Sequence, residues 1–158
     1  MSVRVQIEDF NVAAELSSMR LTGQVGNQNN ANIGAIVNFI GLVRDINNGD
    51  NVQTLTLEHY PEMTQKALEK IESEAKERWQ VLESRIIHRV GTLKPTDQIV
   101  FVAVASAHRS DAFSACEFIM DFLKTQAPFW KKEATDHGEH WVEARLSDDV
   151  AHKRWVKR

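Results

Sequence analysis

A chain of 158 residues, 42% of them hydrophobic, can bury one compact core but not two, so residues 1–158 are expected to form a single domain. The formal net charge of −3 excludes the global positive field that drives non-specific nucleic-acid binding, and any anionic ligand must be held by a local cluster of cations. A lone cysteine, Cys116, excludes a disulfide framework and a multi-cysteine zinc site, and no apolar run nears the roughly 20 residues of a membrane helix, which points to a soluble cytoplasmic protein.

Val3, Val5 and Ile7 alternate with Arg4, Gln6 and Glu8, which predicts a half-buried strand, and residues 12–21 read as a short helix. Residues 24–32, QVGNQNNAN, bury almost nothing and are expected to be a mobile loop. The run AIVNFIGLV predicts a buried strand that delivers Arg44 at its end, and VQTLTLEHY predicts its hairpin partner across a glycine-centred tip at residues 47–51. From Pro61 to Trp79 apolar residues recur at helical spacing, with Lys66, Glu69, Lys70, Glu72, Glu74, Lys76 and Glu77 expected on a solvated face. Residues 85–90 and 98–107 read as strands, the second apolar on both faces and so central in a sheet. Ser110 or Asp111 is expected to cap a helix with the apolar stripe Phe113, Cys116, Ile119, Met120 and Leu123, which Pro128 ends. FWKKEAT and HWVEARL predict two strands around the turn at 136–138, and the basic tail from Val150 reads as a docked helix or a frayed end. This order of elements predicts an α+β domain with a mainly antiparallel or mixed sheet.

Residues 106–133 place cations at both ends of one helix. His108 and Arg109 sit between a strand and a helix N-terminus, where unsatisfied N–H groups favour a phosphate or carboxylate. Equally consistent is a structural pair, with His108 bonded to a carbonyl and Arg109 to a surface acid. Lys124 in the last turn suits the helix dipole, but Lys131 lies just past Pro128, and Phe129 and Trp130 between them could wall a pocket for an anionic, planar substrate. Cys116 reads as a buried small hydrophobe, and the pair His137 and His140 straddles a glycine turn without a third ligand, so no metal site is expected.

The segments LEHYP-x-M, SAHR, LKT-x-APFWK and WVEAR occur together and in order, and through them residues 36–145 resemble the large, catalytic subunit of molybdopterin synthase. Residues 1–32 and the tail 146–158 lie outside that resemblance. It implies an α/β hammerhead fold with an added small antiparallel sheet. It implies an enzyme that takes sulfur from the thiocarboxylated C-terminal glycine of a small ubiquitin-like partner subunit. That sulfur goes to a cyclic pyranopterin monophosphate, forming the dithiolene of molybdopterin, within a heterotetramer built on a central homodimer. By the same resemblance Lys124 and Lys131 are the active-site lysines, Arg44, His108, Arg109 and Arg145 hold the substrate, and Phe39 and Glu133 support the site. No cofactor, nucleic acid or membrane is called for. Thr96 stands where the family commonly carries the glycine of a Pro-Gly-Asp turn. A non-catalytic pterin-binding module, or an RNA-binding role for the basic tail, is the alternative to an enzyme.

Overall fold

The computed structural model describes residues 2–23, 28–47, 49–142, 150 and 153–155. In chain order the elements are β1 (Val3–Gln6), α1 (Val12–Arg20), β2 (Ala35–Leu42), β3 (Ile46–Asn47), β4 (Asp50–His59), α2 (Pro61–Arg78), β5 (Glu83–Arg89), β6 (Gly91–Leu93), β7 (Gln98–Ser106), α3 (Arg109–Gln126), β8 (Phe129–Thr135) and β9 (Gly138–Trp141). They form an α+β fold with two sheets. The first has the order β1-β5-β7-β2, parallel only between β1 and β5; the second has the order β3-β4-β8-β9, with β6 also paired to β4.

Strand β7 is the spine of the first sheet because it is apolar on both faces. Val100, Val102 and Val104 join a core with Leu68, Ile71, Ala115, Ile119 and Leu123 from α2 and α3. Phe101, Ala103 and Ala105 turn the other way, onto Met19 and Phe10 on the α1 side. The alternation follows from the two-residue period of a strand. Helix α1 is capped by Asn11, whose Oδ1 accepts from the Ala14 N–H at 3.0 Å. Among the described residues no helix is long and apolar enough to cross a membrane.

Several expectations need correction. Strand β2 is not buried: among the described residues it pairs with β7 alone, lies at the sheet edge and leaves Phe39, Ile40 and Leu42 exposed. Nor does it form a hairpin with β4. The chain bends at Val43, leaves the first sheet, and makes its hairpin between β3 and β4 in the second. Glu72 belongs to the buried side of α2, where its carboxylate accepts from the Ser84 hydroxyl at 2.6 Å and the Ser2 hydroxyl at 2.9 Å. Phe113 is 60% exposed and lies off the apolar stripe of α3. That helix begins earlier than expected, with His108 as its N-cap, while the Asp111 carboxylate accepts from the Gln80 N–H at 3.1 Å.

The bend at Val43 is held by a turn. Val43 N–H donates to the Asp97 carbonyl at 2.9 Å, and Thr96 N–H donates back to the Val43 carbonyl at 2.8 Å. Asp97 N–H also closes on the Lys94 carbonyl at 3.0 Å, so Lys94 to Asp97 form a turn with Pro95 and Thr96 at its centre. Thr96 has φ of 77°, the left-handed conformation that the third position of a type II turn requires and that glycine adopts without steric cost. Replacing a left-handed β-branched residue by glycine relieves about 1–2 kcal/mol of steric strain and returns part of it as backbone entropy. Thr96→Gly is therefore expected to raise the unfolding free energy by about 0.5–1 kcal/mol in urea denaturation. A lower denaturation midpoint for the variant would contradict this account of the turn.

Candidate active site

The direction of α3 sets the layout. The chain leaves β7 at Ser106 and returns along the same sheet as α3, so Lys124 comes back to the end where β7 began. His108 and Arg109 are left at the opposite end. From Arg109 to Lys124 the helix advances about 22 Å at 1.5 Å per residue, too far for both groups to touch one small molecule within one chain.

At the Ser106 end the backbone is tightly fixed. The buried Ser106 hydroxyl donates to the Gln80 carbonyl at 2.6 Å, and the His108 N–H reaches Ser106 Oγ at 3.4 Å. Gly34 lies so close that an added Cβ would sit 2.1 Å from the Ala107 carbonyl oxygen. The side chains of His108 and Arg109 are exposed on this frame.

At the other end, Lys124, which is exposed, and Lys131, which is half-buried, both act electrostatically on a buried histidine that the sequence did not single out. His88, on β5, shares the inward parity of Ser84 and Ile86 and is 4% exposed. Its Nδ1–H donates to the Arg89 carbonyl at 2.8 Å, and its ring lies almost flat on Phe129, with centroids 3.9 Å apart and planes at 18°. The His59 ring approaches the same Phe129 at 6.4 Å. Burial pushes His88 down from 6.5 to about 3, and the nearby charges of Lys131, Lys124 and His59 push the same way against the stabilising Arg89 carbonyl. The imidazole is therefore uncharged at neutral pH.

Strand alternation sorts the residues that follow Pro128. Register places Phe129, Lys131 and Glu133 opposite His59, Leu57 and Leu55 on the inner face of the second sheet, and sends Trp130 and Lys132 outward. Only Phe129 of the two expected aromatics walls the lysines. Trp130 is 43% exposed and packs edge-on against Tyr60 at 5.0 Å, while Lys132 pairs with Glu139 at 3.1 Å. The entry to β8 is pinned by the Thr64 hydroxyl, which donates to the Pro128 carbonyl at 3.3 Å.

The remaining candidates distribute as follows. Arg44 is exposed just beyond the end of β2, beside Val43 and therefore at the Lys124 end of the sheet. Phe39 is on the same strand, 41% exposed. Glu133 is buried, its Oε2 3.5 Å from His140 Nε2. Arg145 lies outside the described residues. Cys116 is buried against the Val102 carbonyl, and its thiol is pushed up to about 12 by burial, which suits a packing role.

The family model described as MoaE protein matches residues 5–126, so α1 and the second half of β1 fall inside the matched region. A molybdopterin synthase catalytic subunit from Ralstonia nicotianae is 53% identical over 154 residues, covering 98% of this chain and 84% of that relative. A solved MoaE protein from Burkholderia ambifaria is 50% identical, covers 99% of both chains and superposes with a TM-score of 0.81. The crystal structure of molybdopterin synthase from Staphylococcus aureus aligns at 32% identity and a TM-score of 0.77, over 88% of this chain and 95% of that one.

The depressed pKa of His88 ties the site to stability. Between about pH 6.5 and 3 the unfolded chain binds a proton at His88 that the folded chain excludes. Its contribution is thus fully present above that window and is lost as the pH falls, at no more than about 1.4 kcal/mol per pH unit. Urea denaturation of the wild type and of His88→Phe, at pH 7 and pH 5, is expected to show the wild type losing more stability on acidification. Equal losses in the two proteins would show that His88 accepts a proton in the folded state.

Proposed function

The chain belongs to the MoaE protein family, and on that premise we propose that it is the catalytic subunit of a molybdopterin synthase, acting in the cytoplasm as a single domain over residues 1–158. It transfers sulfur from the thiocarboxylated C-terminal glycine of a small ubiquitin-like partner subunit to cyclic pyranopterin monophosphate, building the dithiolene in two deliveries. The observation that carries the reading is the gathering of Lys124 and Lys131 about the uncharged wall of His88 and Phe129, with Arg44 at the same sheet end.

Each delivery forms a carbon–sulfur bond on the pterin side chain as a carbon–oxygen bond breaks and the oxygen departs; water then adds to the glycine carbonyl, the acyl carbon–sulfur bond breaks, and the tail leaves as a carboxylate while the sulfur stays on the pterin. The departing oxygen needs a proton, and the incoming thiocarboxylate and the substrate phosphate need fixed positive charge. Lys124 is assigned the proton transfer and any covalent participation, and Lys131 the stabilisation of the developing negative charge. His108 and Arg109 hold the phosphate together with Arg44 and Arg145, while Phe39 shapes the pocket and Glu133 steadies the lysines.

The span of α3, about 22 Å, supports dividing these roles between two copies of the chain. We infer that His108 and Arg109 of one copy complete a site with Lys124 and Lys131 of the other, within a central homodimer that carries one small partner subunit on each outer side. The exposed apolar edge of β2, with Phe39, Ile40 and Leu42, supports a self-association of this kind.

Incubation of the protein with the pterin precursor and thiocarboxylated partner is expected to yield dithiolene product, and Lys124→Ala to lower turnover by about 100-fold or more. Arg109→Ala should raise KM by about 10- to 100-fold, the loss of one charge-assisted contact. Mixed after reversible dissociation, these two variants should recover about a quarter of wild-type activity below the wild-type KM, since half the dimers would be mixed and each would hold one intact site. No recovery, with mixed dimers verified by mass spectrometry, would refute the shared site, and an active Lys124→Ala would refute the role given to that lysine.

A further inference from the structure

Resting on the sulfur-transfer reading above, we propose that His88 is a positioning residue for the two lysines. Its uncharged ring, tethered to the Arg89 carbonyl and packed flat on Phe129, fixes the start of β8 and thereby the placement of Lys131 relative to Lys124. The assignment begins with geometry. Phe129 is the first residue of β8, and Lys131 follows two positions later on the same face of the strand. Whatever fixes the Phe129 ring therefore fixes the root of the Lys131 side chain.

Two rings and one hydroxyl meet at that root. His88 covers one face of Phe129 at 3.9 Å, His59 approaches at 6.4 Å, and Thr64 holds the Pro128 carbonyl. Of the two histidines His88 is the buried one, and among the described residues its ring is the one anchored by a backbone bond, the Nδ1–H to the Arg89 carbonyl at 2.8 Å. Strand β5 is in turn hydrogen-bonded to β7, on which α3 and Lys124 rest. His88 thus links the sheet that positions Lys124 to the strand that carries Lys131.

The charge environment explains why the ring is an imidazole held neutral. The titratable groups that act on it are Lys131 from β8, Lys124 from α3 and His59 from β4. A cationic side chain at this position would repel both lysines and spread them apart. An aliphatic one would fill the space without the flat face that Phe129 stacks on. A histidine fixed as its Nδ1–H tautomer offers that face with no added charge.

The decisive comparison is His88→Leu with His88→Phe, in the full chain assembled with its thiocarboxylated partner and supplied with the pterin precursor. Both replacements fill the cavity, and only phenylalanine keeps the stack. His88→Leu is expected to lower kcat by about 10-fold or more with KM for the precursor within about threefold, because the phosphate is held by arginines and by His108 of the other copy, none of which His88 positions. His88→Phe is expected to stay within about fivefold of the wild-type kcat. Should His88→Leu fail to fold, Phe129→Leu removes the other half of the same contact and is expected to show the same loss of kcat at unchanged KM. Equal kcat for the leucine and phenylalanine variants at His88, or a loss confined to KM, would overturn the positioning role. Wild-type protein assayed in parallel separates the two claims, since failure of the wild type to turn over refutes the sulfur-transfer reading itself.

Discussion

The packing of α3 back along β7 is the contact on which the rest of the structure depends. Val100, Val102 and Val104 of the strand meet Ala115, Cys116, Ile119 and Leu123 of the helix in one dry layer, and small residues at Ala112 and Ala115 let the two approach closely. Burial of this kind contributes about 1.5–3 kcal/mol for each large side chain, which far exceeds any surface ion pair nearby. The same packing sets the layout of the candidate site, because a helix of this length holds its terminal cations apart. His108 and Arg109 are bound to one end of the sheet, and Lys124 to the other.

The wall beneath the lysines is built from Phe129 and an uncharged His88, and the nearest expected carboxylate, Glu133, lies buried beside His140. Lys131 is half-buried against this apolar wall, whereas Lys124 is exposed, so desolvation of the pair is left to the bound substrate and partner tail. The layout suits a reaction that must bind an anionic phosphate and stabilise charge during sulfur transfer. Arg44, delivered by the bend that the Thr96 turn holds, adds a cation at the same end.

Much of the fold was legible because its signals are local. The extent of α2, the doubly apolar β7 and the stop at Pro128 all read correctly from spacing alone, although Met63, expected on the apolar stripe of α2, is 60% exposed. The failures share a physical cause, which is that pairing and burial are decided by distant segments. An apolar run such as AIVNFIGLV looks the same whether it is central or at an edge, and only the route taken at Val43 made it an edge and removed its expected hairpin. Glu72 reads as one more surface acid until Ser2 and Ser84 are brought beneath it. His88 gave one weak signal, a histidine on the inward parity of an apolar strand. Its meaning came only when β8 laid Phe129 across it. The motif residues Lys124 and Lys131 were readable through family resemblance, whereas their separation from His108 and Arg109 was a matter of helix length and direction.

The central claim is that one reaction centre is assembled from the two ends of α3 on different copies of the chain. The most direct measurement is a crystal structure of the assembled protein with the pterin precursor bound. The account predicts that the phosphate is held by His108 and Arg109 of one copy, with the pterin ring within reach of Lys124 and Lys131 of the other. A precursor held wholly by one copy, or seated away from Lys124, would contradict it.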